Sequence, residues 1–477
     1  MHRMYRPAAL FPAFSAAFLL AAAAVPAADW SEQDLATAAT LRDRAVAGTN
    51  AFDHVSGLVT EVGPRFAGSA GDAAAVRWAL NRLGTLGFSN VRSQDVLVPR
   101  WVRGTAEVSI VAPYPQPLVA VAIGGSVGTP EEGIEAQVVT VGSLEALSAL
   151  PANQVSGKIV FIDQRMERTR DASGYGAVVP NRSQGASVAA NLGATALVIR
   201  SVGTSPDRVA HTGGLSYRTD APRIPAFAIS NPDADLLARQ VKSGKPVRLR
   251  LRSTARELPP AWSANVIGEI PGSQSPNEVV LLGAHLDSWD VGPGAVDDGA
   301  GVAIVMEAAR LIAKLDRKPA RTIRVVLFAN EEFGLSGGRE YARLMSEEIP
   351  RHVIAFEADL GQGPVWRLQS RVGVEQLPAV AQMLQVLEPL KIEGGDNTAS
   401  GGADLRPLRE AGVPVLDLSL DATNYFDIHH TTNDTLAKID PKILDQSVAA
   451  YAVAAWLAST KQGDFGRASQ QTSAGSH

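Results

Sequence analysis

The chain has 477 residues, 45% hydrophobic and 19% charged, a globular composition and a length too great for one ordinary core. Its 44 lysines and arginines face 49 aspartates and glutamates, a net charge of −5, so no basic footprint for nucleic acid is expected. Cysteine is absent, which excludes disulfides, a thiolate nucleophile and cysteine-held metal; any metal must be held by His, Asp and Glu.

Arg3 and Arg6 form a basic start, Ala8 to Val25 is apolar and alanine-rich, and Val25-Pro26-Ala27 has the small-residue spacing of a cleavage site. Residues 1–27 therefore read as a signal peptide, and the mature protein is expected to be exported, periplasmic or secreted, with no membrane attachment after cleavage. Trp30 to Asn50 reads as one helix, because Leu35, Leu41 and Val46 recur on a helical period. Gly63 to Asp72 ("GPRFAGSAGD") is a glycine-rich turn, Ala73 to Leu86 a second helix stopped by Gly87, and Asn90 to Val98 alternates as a strand. These elements place residues 28–117 in the amino-terminal part of the main domain.

Between residues 118 and 253 the texture changes. Short apolar strands at Gly157–Asp163, Gly193–Ser201 and Ile224–Ser230 alternate with short helices, as in a small β-rich domain inserted into the chain. His211 is its only histidine and reads as a surface-loop residue. The main domain resumes over 254–462, with strands at Ala264–Ile270, Glu278–Ala284, Thr322–Ala329, His352–Glu357 and Val413–Leu420. Near-continuous apolar strands alternating with helices predict an α/β fold, a mainly parallel sheet with helices on both faces. Residues 463–477 are small and polar and read as a disordered tail.

In open α/β sheets the chemistry gathers outside the carboxyl ends of the strands. Here one strand ends at His285 and Asp287, the next at Glu331 and Glu332, a third at Asp359, and a fourth leads to His429 and His430. Imidazoles and carboxylates in this mixture suit zinc. His285 and Asp287 project to one face of an extended chain, so Asp287 can accept the second ring N–H of His285. Asp297 follows a Gly-Pro-Gly turn that can fold it back towards His285, where it could bridge two cations. Of the adjacent Glu331 and Glu332, one would bind metal and the other act as general base on an activated water.

The blocks "HLDSWD", "GAVDDGAG", "FANEEFGLSGG", "EAD" and "YFDIHHTTNDT" resemble the co-catalytic di-zinc exopeptidases, the family of bacterial leucyl-type aminopeptidases and glutamate carboxypeptidase, and within it the carboxypeptidase Q subgroup. The resemblance implies two zinc ions per chain: His285 and Asp359 on one, Glu332 and His430 on the other, and Asp297 bridging. It makes Glu331 the general base and Asp287 the partner of His285, and it implies a cis peptide at Asp297–Asp298. His430 is preferred to His429 because it begins the family's H-x-x-x-D/E-T run, which ends at Asp434-Thr435. His429 replaces a tyrosine that stabilises the oxyanion in glutamate carboxypeptidase; it either donates to the tetrahedral intermediate or only packs. Tyr425 and Asp404 are further candidates for the cleft, whereas Trp289 and Asp290 read as structural.

The inserted segment resembles a protease-associated domain, which in related enzymes shapes the cleft rather than performing chemistry; its lack of clustered acids predicts a part in substrate selection and not in metal binding. Peptides with a free N-terminus are the expected substrate, cleaved as dipeptides or short peptides, and a homodimer is the expected assembly. Two other functions stay open. A true carboxypeptidase for acidic C-termini needs an arginine cluster, for which Arg406 and Arg409 are candidates although their pattern is that of a helix surface. An inactive binding protein on the same fold is opposed by the complete ligand set and Glu331.

Overall fold

A computed structural model describes residues 29–467; the expected signal peptide and residues 468–477 of the expected tail lie outside the described residues. The strand Ser275–His285 shows how the sequence builds the main domain. From Val279 onward every residue is buried. Val280 and Leu282 face one layer of helices, Ala300–Ala313 and Pro441–Thr460, while Val279 and Leu281 join Tyr341, Leu405 and Leu408 on the opposite face. A strand covered on both faces has no polar side to present, which is why its sequence is a continuous apolar run.

The sheet runs in the order Ser89–Val102, Arg256–Ile270, Arg321–Phe328, Ser275–His285, His352–Glu357, Val415–Leu420, Val365–Arg371, Glu393–Gly394. Its four central strands, from Arg321–Phe328 to Val415–Leu420, are mutually parallel. Antiparallel neighbours flank them on both sides, so the sheet is mixed. The strand Val365–Arg371 escaped the sequence reading because it is half-buried and carries Arg367, Gln369 and Arg371 among its apolar residues.

The helix expected over 30–50 is Glu32–Ala47, ended at Gly48 with φ 140°, and a further helix that the sequence did not announce, Ala51–Glu61, follows it. Ser31 and Asp34 cap the first reciprocally, satisfying two backbone N–H groups that the first turn leaves free. A second eight-stranded sheet forms the insert around Val108, Ile110, Phe161, Val198, Phe227 and Leu249. Its strand Ala106–Ala112 pairs with Arg248–Ser253, so this sheet begins upstream of residue 118. At the other end residues 463–467 do not behave as a tail: Phe465 is buried, and its carbonyl accepts from the Gly373 N–H at 2.9 Å.

A buried charge cluster joins the amino-terminal segment to the core. Glu307 accepts two bonds of 2.5 Å from Arg310, one of 3.0 Å from the Asn50 N–H and one of 3.2 Å from His54 Nε2. Burial alone would raise the Glu307 carboxyl, but Arg310 and His54 hold it down, from 4.5 to about 2. A depressed carboxylate stabilises the fold above its unfolded value of 4.5, and this contribution is lost as pH falls towards about 2. The shift corresponds to about 3 kcal/mol. Glu307→Gln should therefore be clearly less stable than wild type near neutral pH, with the gap closing between pH 4.5 and about 2 in denaturant titrations. A gap independent of pH would contradict the ion pairing.

Candidate metal centre

His285 ends its strand inside the protein, 1% exposed. Its backbone N–H donates to Asp298 Oδ2 at 3.0 Å, and Asp298 Oδ1 accepts from the Gly301 N–H at 3.0 Å. One carboxylate thus ties the strand end to the start of the following helix. Gly301 permits the approach, since a Cβ there would lie 2.0 Å from the carbonyl oxygen of Ala358. The loop between is held from below by Arg65, fully buried, which donates to the carbonyls of Leu286, Pro293 and Gly294 at 2.5, 2.7 and 2.9 Å.

This loop delivers Asp297 between two imidazoles. Asp297 Oδ1 lies 3.1 Å from His285 Nε2, and Oδ2 lies 3.3 Å from His430 Nε2. The Asp297–Asp298 peptide is cis. Asp434 fixes the backbone here by accepting from the N–H groups of Val296 and Asp297 at 2.6 and 3.1 Å. Beyond the next strand, Asn330 takes a left-handed φ of 58°, a conformation asparagine tolerates, and turns Glu331 and Glu332 into the site. Glu332 Oε2 is 2.9 Å from His430 Nε2, while Asp359 Oδ1 is 3.5 Å from His285 Nε2. Glu331 gathers with His285 and Asp359, their ligand atoms within 4.8 Å of one another. Asp287 Oδ1 accepts the Glu331 N–H at 3.0 Å and stands 3.6 Å from His285 Nδ1, which is nearer, at 3.1 Å, to the Asp287 carbonyl. Asp287 therefore stands beside His285, its expected partner, with its closest approach through backbone, and also holds Glu331, a contact the sequence did not announce.

The insert reaches this centre directly. His211, expected in a surface loop, is fully buried, with Nδ1 2.8 Å from the carbonyl of His429. The Thr212 N–H donates to the His430 carbonyl at 3.0 Å, and the Thr212 carbonyl faces His430 Nδ1 at 3.3 Å. A proton on Nδ1 directed at that carbonyl leaves Nε2 free as a ligand atom. His430 sits at φ 60°, which a histidine seldom adopts, and these bonds hold it there. Among the described residues the insert supplies no side chain to the clusters that could hold a metal, but it contributes backbone that orients His430.

Do these residues suit metal? Asp297 Oδ2 and Glu332 Oε1 are buried without a hydrogen bond, a costly state for carboxylate oxygens. Burial and the neighbouring Asp297 charge push Glu332 up to about 7. Against burial, which would lower it, Glu332 and Asp297 hold His430 up at about 9. Protons shared among crowded acids and imidazoles are what a cation displaces, and the donor set fits a hard or borderline dication.

The centre opens into a cavity of about 520 Å³. His429 and Tyr425 line it. The His429 ring stacks on His430 with centroids 3.4 Å apart, and its Nε2 is 3.7 Å from Asp297 Oδ2. Asp404 does not line this cavity; it is buried behind the site, accepting from the Gly338 N–H at 3.3 Å. Arg406 is exposed, and Arg409 donates to the Ser400 carbonyl at 2.7 Å; neither lines the cavity. Trp289 stacks on Phe66 at 4.9 Å, and Asp290 pairs with Arg103. Arg65, His211 and Thr212 are the residues sequence reasoning missed. Their partners lie more than two hundred positions away in the chain, at 221 for Arg65 and Leu286, so no local spacing announces them.

Residues 265–455 match the family model described as Peptidase family M28, and residues 116–237 match the PA domain. Carboxypeptidase Q of Rattus norvegicus is 36% identical over 406 residues, covering 85% of this chain and 84% of the relative. The crystal structure of a Peptidase M28 precursor from Shewanella amazonensis SB2B is 47% identical, with a TM-score of 0.90 over 91% of this chain and 98% of that one. A zinc aminopeptidase from Bacillus subtilis shares the fold, at 22% identity and a TM-score of 0.62 over 85% of this chain and 93% of that one. With two carboxylate oxygens of one aspartate facing two histidines, and with these relatives along most of its length, the chain belongs to peptidase family M28, the metallopeptidases, and carries a PA domain within it.

Proposed function

We propose that the protein is an exported zinc-dependent exopeptidase that removes the N-terminal residue from dipeptides or short peptides. The observation that carries this reading is Asp297, whose two oxygens face His285 and His430 from opposite sides. His285 and Asp359 would hold one zinc, Glu332 and His430 the second, and Asp297 both. Bound there, zinc supplies Lewis acidity, polarising the scissile carbonyl and acidifying water. Glu331 takes the proton from the attacking water and passes it to the leaving amine. Asp287 positions Glu331 through the 3.0 Å bond to its N–H. His429, lowered well below its usual pKa by burial and the adjacent His430, is neutral and is assigned the oxyanion donor's place.

Polarity is supported by a second cavity of about 290 Å³ that adjoins the first at Asp359 and Leu360. Asp171, Glu357 and Asp417 line it with Asp359, against a single arginine, Arg367. An ammonium group is the complementary end of a substrate. Export rests on the amino-terminal segment; among the described residues no helix is long and apolar enough to cross a membrane. The test is hydrolysis of Ala-Leu and N-acetyl-Ala-Leu by purified protein supplied with zinc. Only the free dipeptide should be cleaved, and equal rates on both would overturn the assignment of N-terminal action.

A further inference from the structure

Seven arginines are buried among the described residues: Arg65, Arg103, Arg182, Arg200, Arg310, Arg321 and Arg324. Five of these pair with a carboxylate, and Arg65 spends its three nitrogens on three carbonyls. Arg182 does neither. It lies on the insert's helix Ser173–Ser183, 6% exposed, with no acidic side chain in salt-bridge range and Nε buried without a partner. Its other contacts are neutral: Nη2 donates to the Tyr175 hydroxyl at 2.6 Å and Nη1 to the Thr212 carbonyl at 3.3 Å. An uncompensated buried charge is expensive, so a guanidinium kept this way calls for an anion from elsewhere.

Arg182 lines the same cavity as Glu331, Glu332, Asp359 and His430. Room has been left for it there. A Cβ at Gly213, whose φ is 132°, would lie 2.2 Å from the guanidinium carbon, so a side chain there would displace Arg182 from this position. The cavity, about 520 Å³, is of the size that encloses a small ligand. The acidic cavity that would take the ammonium end lies across Asp359.

We propose that Arg182 is a specificity-determining residue that binds the C-terminal carboxylate of a substrate only one residue longer than the scissile bond, making the enzyme a dipeptidase. The proposal rests on the N-terminal polarity argued above. A planar, five-donor guanidinium matches a carboxylate in two-point geometry. A longer peptide or a C-terminal amide would leave the charge buried and unpaired.

The test compares kcat/KM for Ala-Leu, Ala-Leu amide and Ala-Glu amide in wild type, Arg182→Gln and Arg182→Lys. Wild type should prefer Ala-Leu over its amide by on the order of 10- to 100-fold, the range of a charge-assisted hydrogen bond. Arg182→Gln should bring that ratio to about one, and Arg182→Lys, which keeps the charge, should retain part of it. If Arg182 only holds the insert in place through Tyr175, both substrates lose rate together and the ratio survives in the Gln variant, which overturns the proposal. A wild-type ratio near one overturns it without any variant. Ala-Glu amide cleaved as well as Ala-Leu would transfer the role to a side-chain carboxylate and overturn the terminal assignment. Hydrolysis of N-acetyl-Ala-Leu at the Ala-Leu rate would instead defeat the polarity reading, leaving the carboxylate-to-amide ratio to decide the role of Arg182.

Discussion

Glu331→Gln should lower kcat by on the order of 10²–10⁴-fold while metal content and KM stay close to wild type. The substitution keeps the side chain's shape and removes its capacity to accept a proton. The residue stands beside Glu332, which contacts His430 at 2.9 Å, whereas Glu331 gathers with His285 and Asp359. Its backbone N–H remains anchored on Asp287, so the loop should not move. A group that acts only while the water is being deprotonated contributes to the transition state and not to substrate binding, which places the loss in kcat. Glu332→Gln should behave oppositely, weakening metal retention first. Measured zinc content and steady-state kinetics on the two variants separate them. Near-normal kcat in Glu331→Gln, or metal loss as its main effect, would show that the two adjacent glutamates have been assigned the wrong way round.

The main-domain strands and the residues at their ends were legible because each motif is local: His285 closes its own apolar strand, and Glu331 and Glu332 lie just beyond theirs. Burial on both faces writes itself into a strand as unbroken hydrophobicity, and a carboxylate or imidazole just past it stands out. What stayed hidden depends on partners far along the chain. His211 looks like a loop histidine until the insert folds back and sets it against His429, 218 residues away. Arg65 sits in a glycine-rich turn whose local sequence gives no sign that three carbonyls of the metal loop await its guanidinium. The strand Val365–Arg371 was missed for a different reason, since half-buried strands mix polar and apolar residues and lose their unbroken hydrophobicity.

On the proposed assignment of two zinc ions per chain, Asp297→Asn should lower zinc content and take most of the activity with it. The side chain keeps its volume, but it loses the charge that lets one residue serve two cations. Asp297 is the point where the two halves of the centre meet: Oδ1 towards His285, Oδ2 towards His430. Its backbone is held independently of any metal, by Asp434 on the N–H groups of Val296 and Asp297, so the variant should fold with the loop in place. Loss of an outer partner of a metal ligand alone costs about 10–100-fold in affinity. Neutralising the shared ligand itself should cost at least that for each of two sites. His285 and His430 are each oriented at Nδ1 by a backbone carbonyl, that of Asp287 at 3.1 Å and that of Thr212 at 3.3 Å, so Asp297 is the group whose loss should weaken both halves together. Metal analysis during stepwise chelation reads this joint loss directly. A variant that kept two equivalents, or a wild-type protein that bound one tight equivalent and was unchanged by Asp297→Asn, would mean that Asp297 is not the bridge.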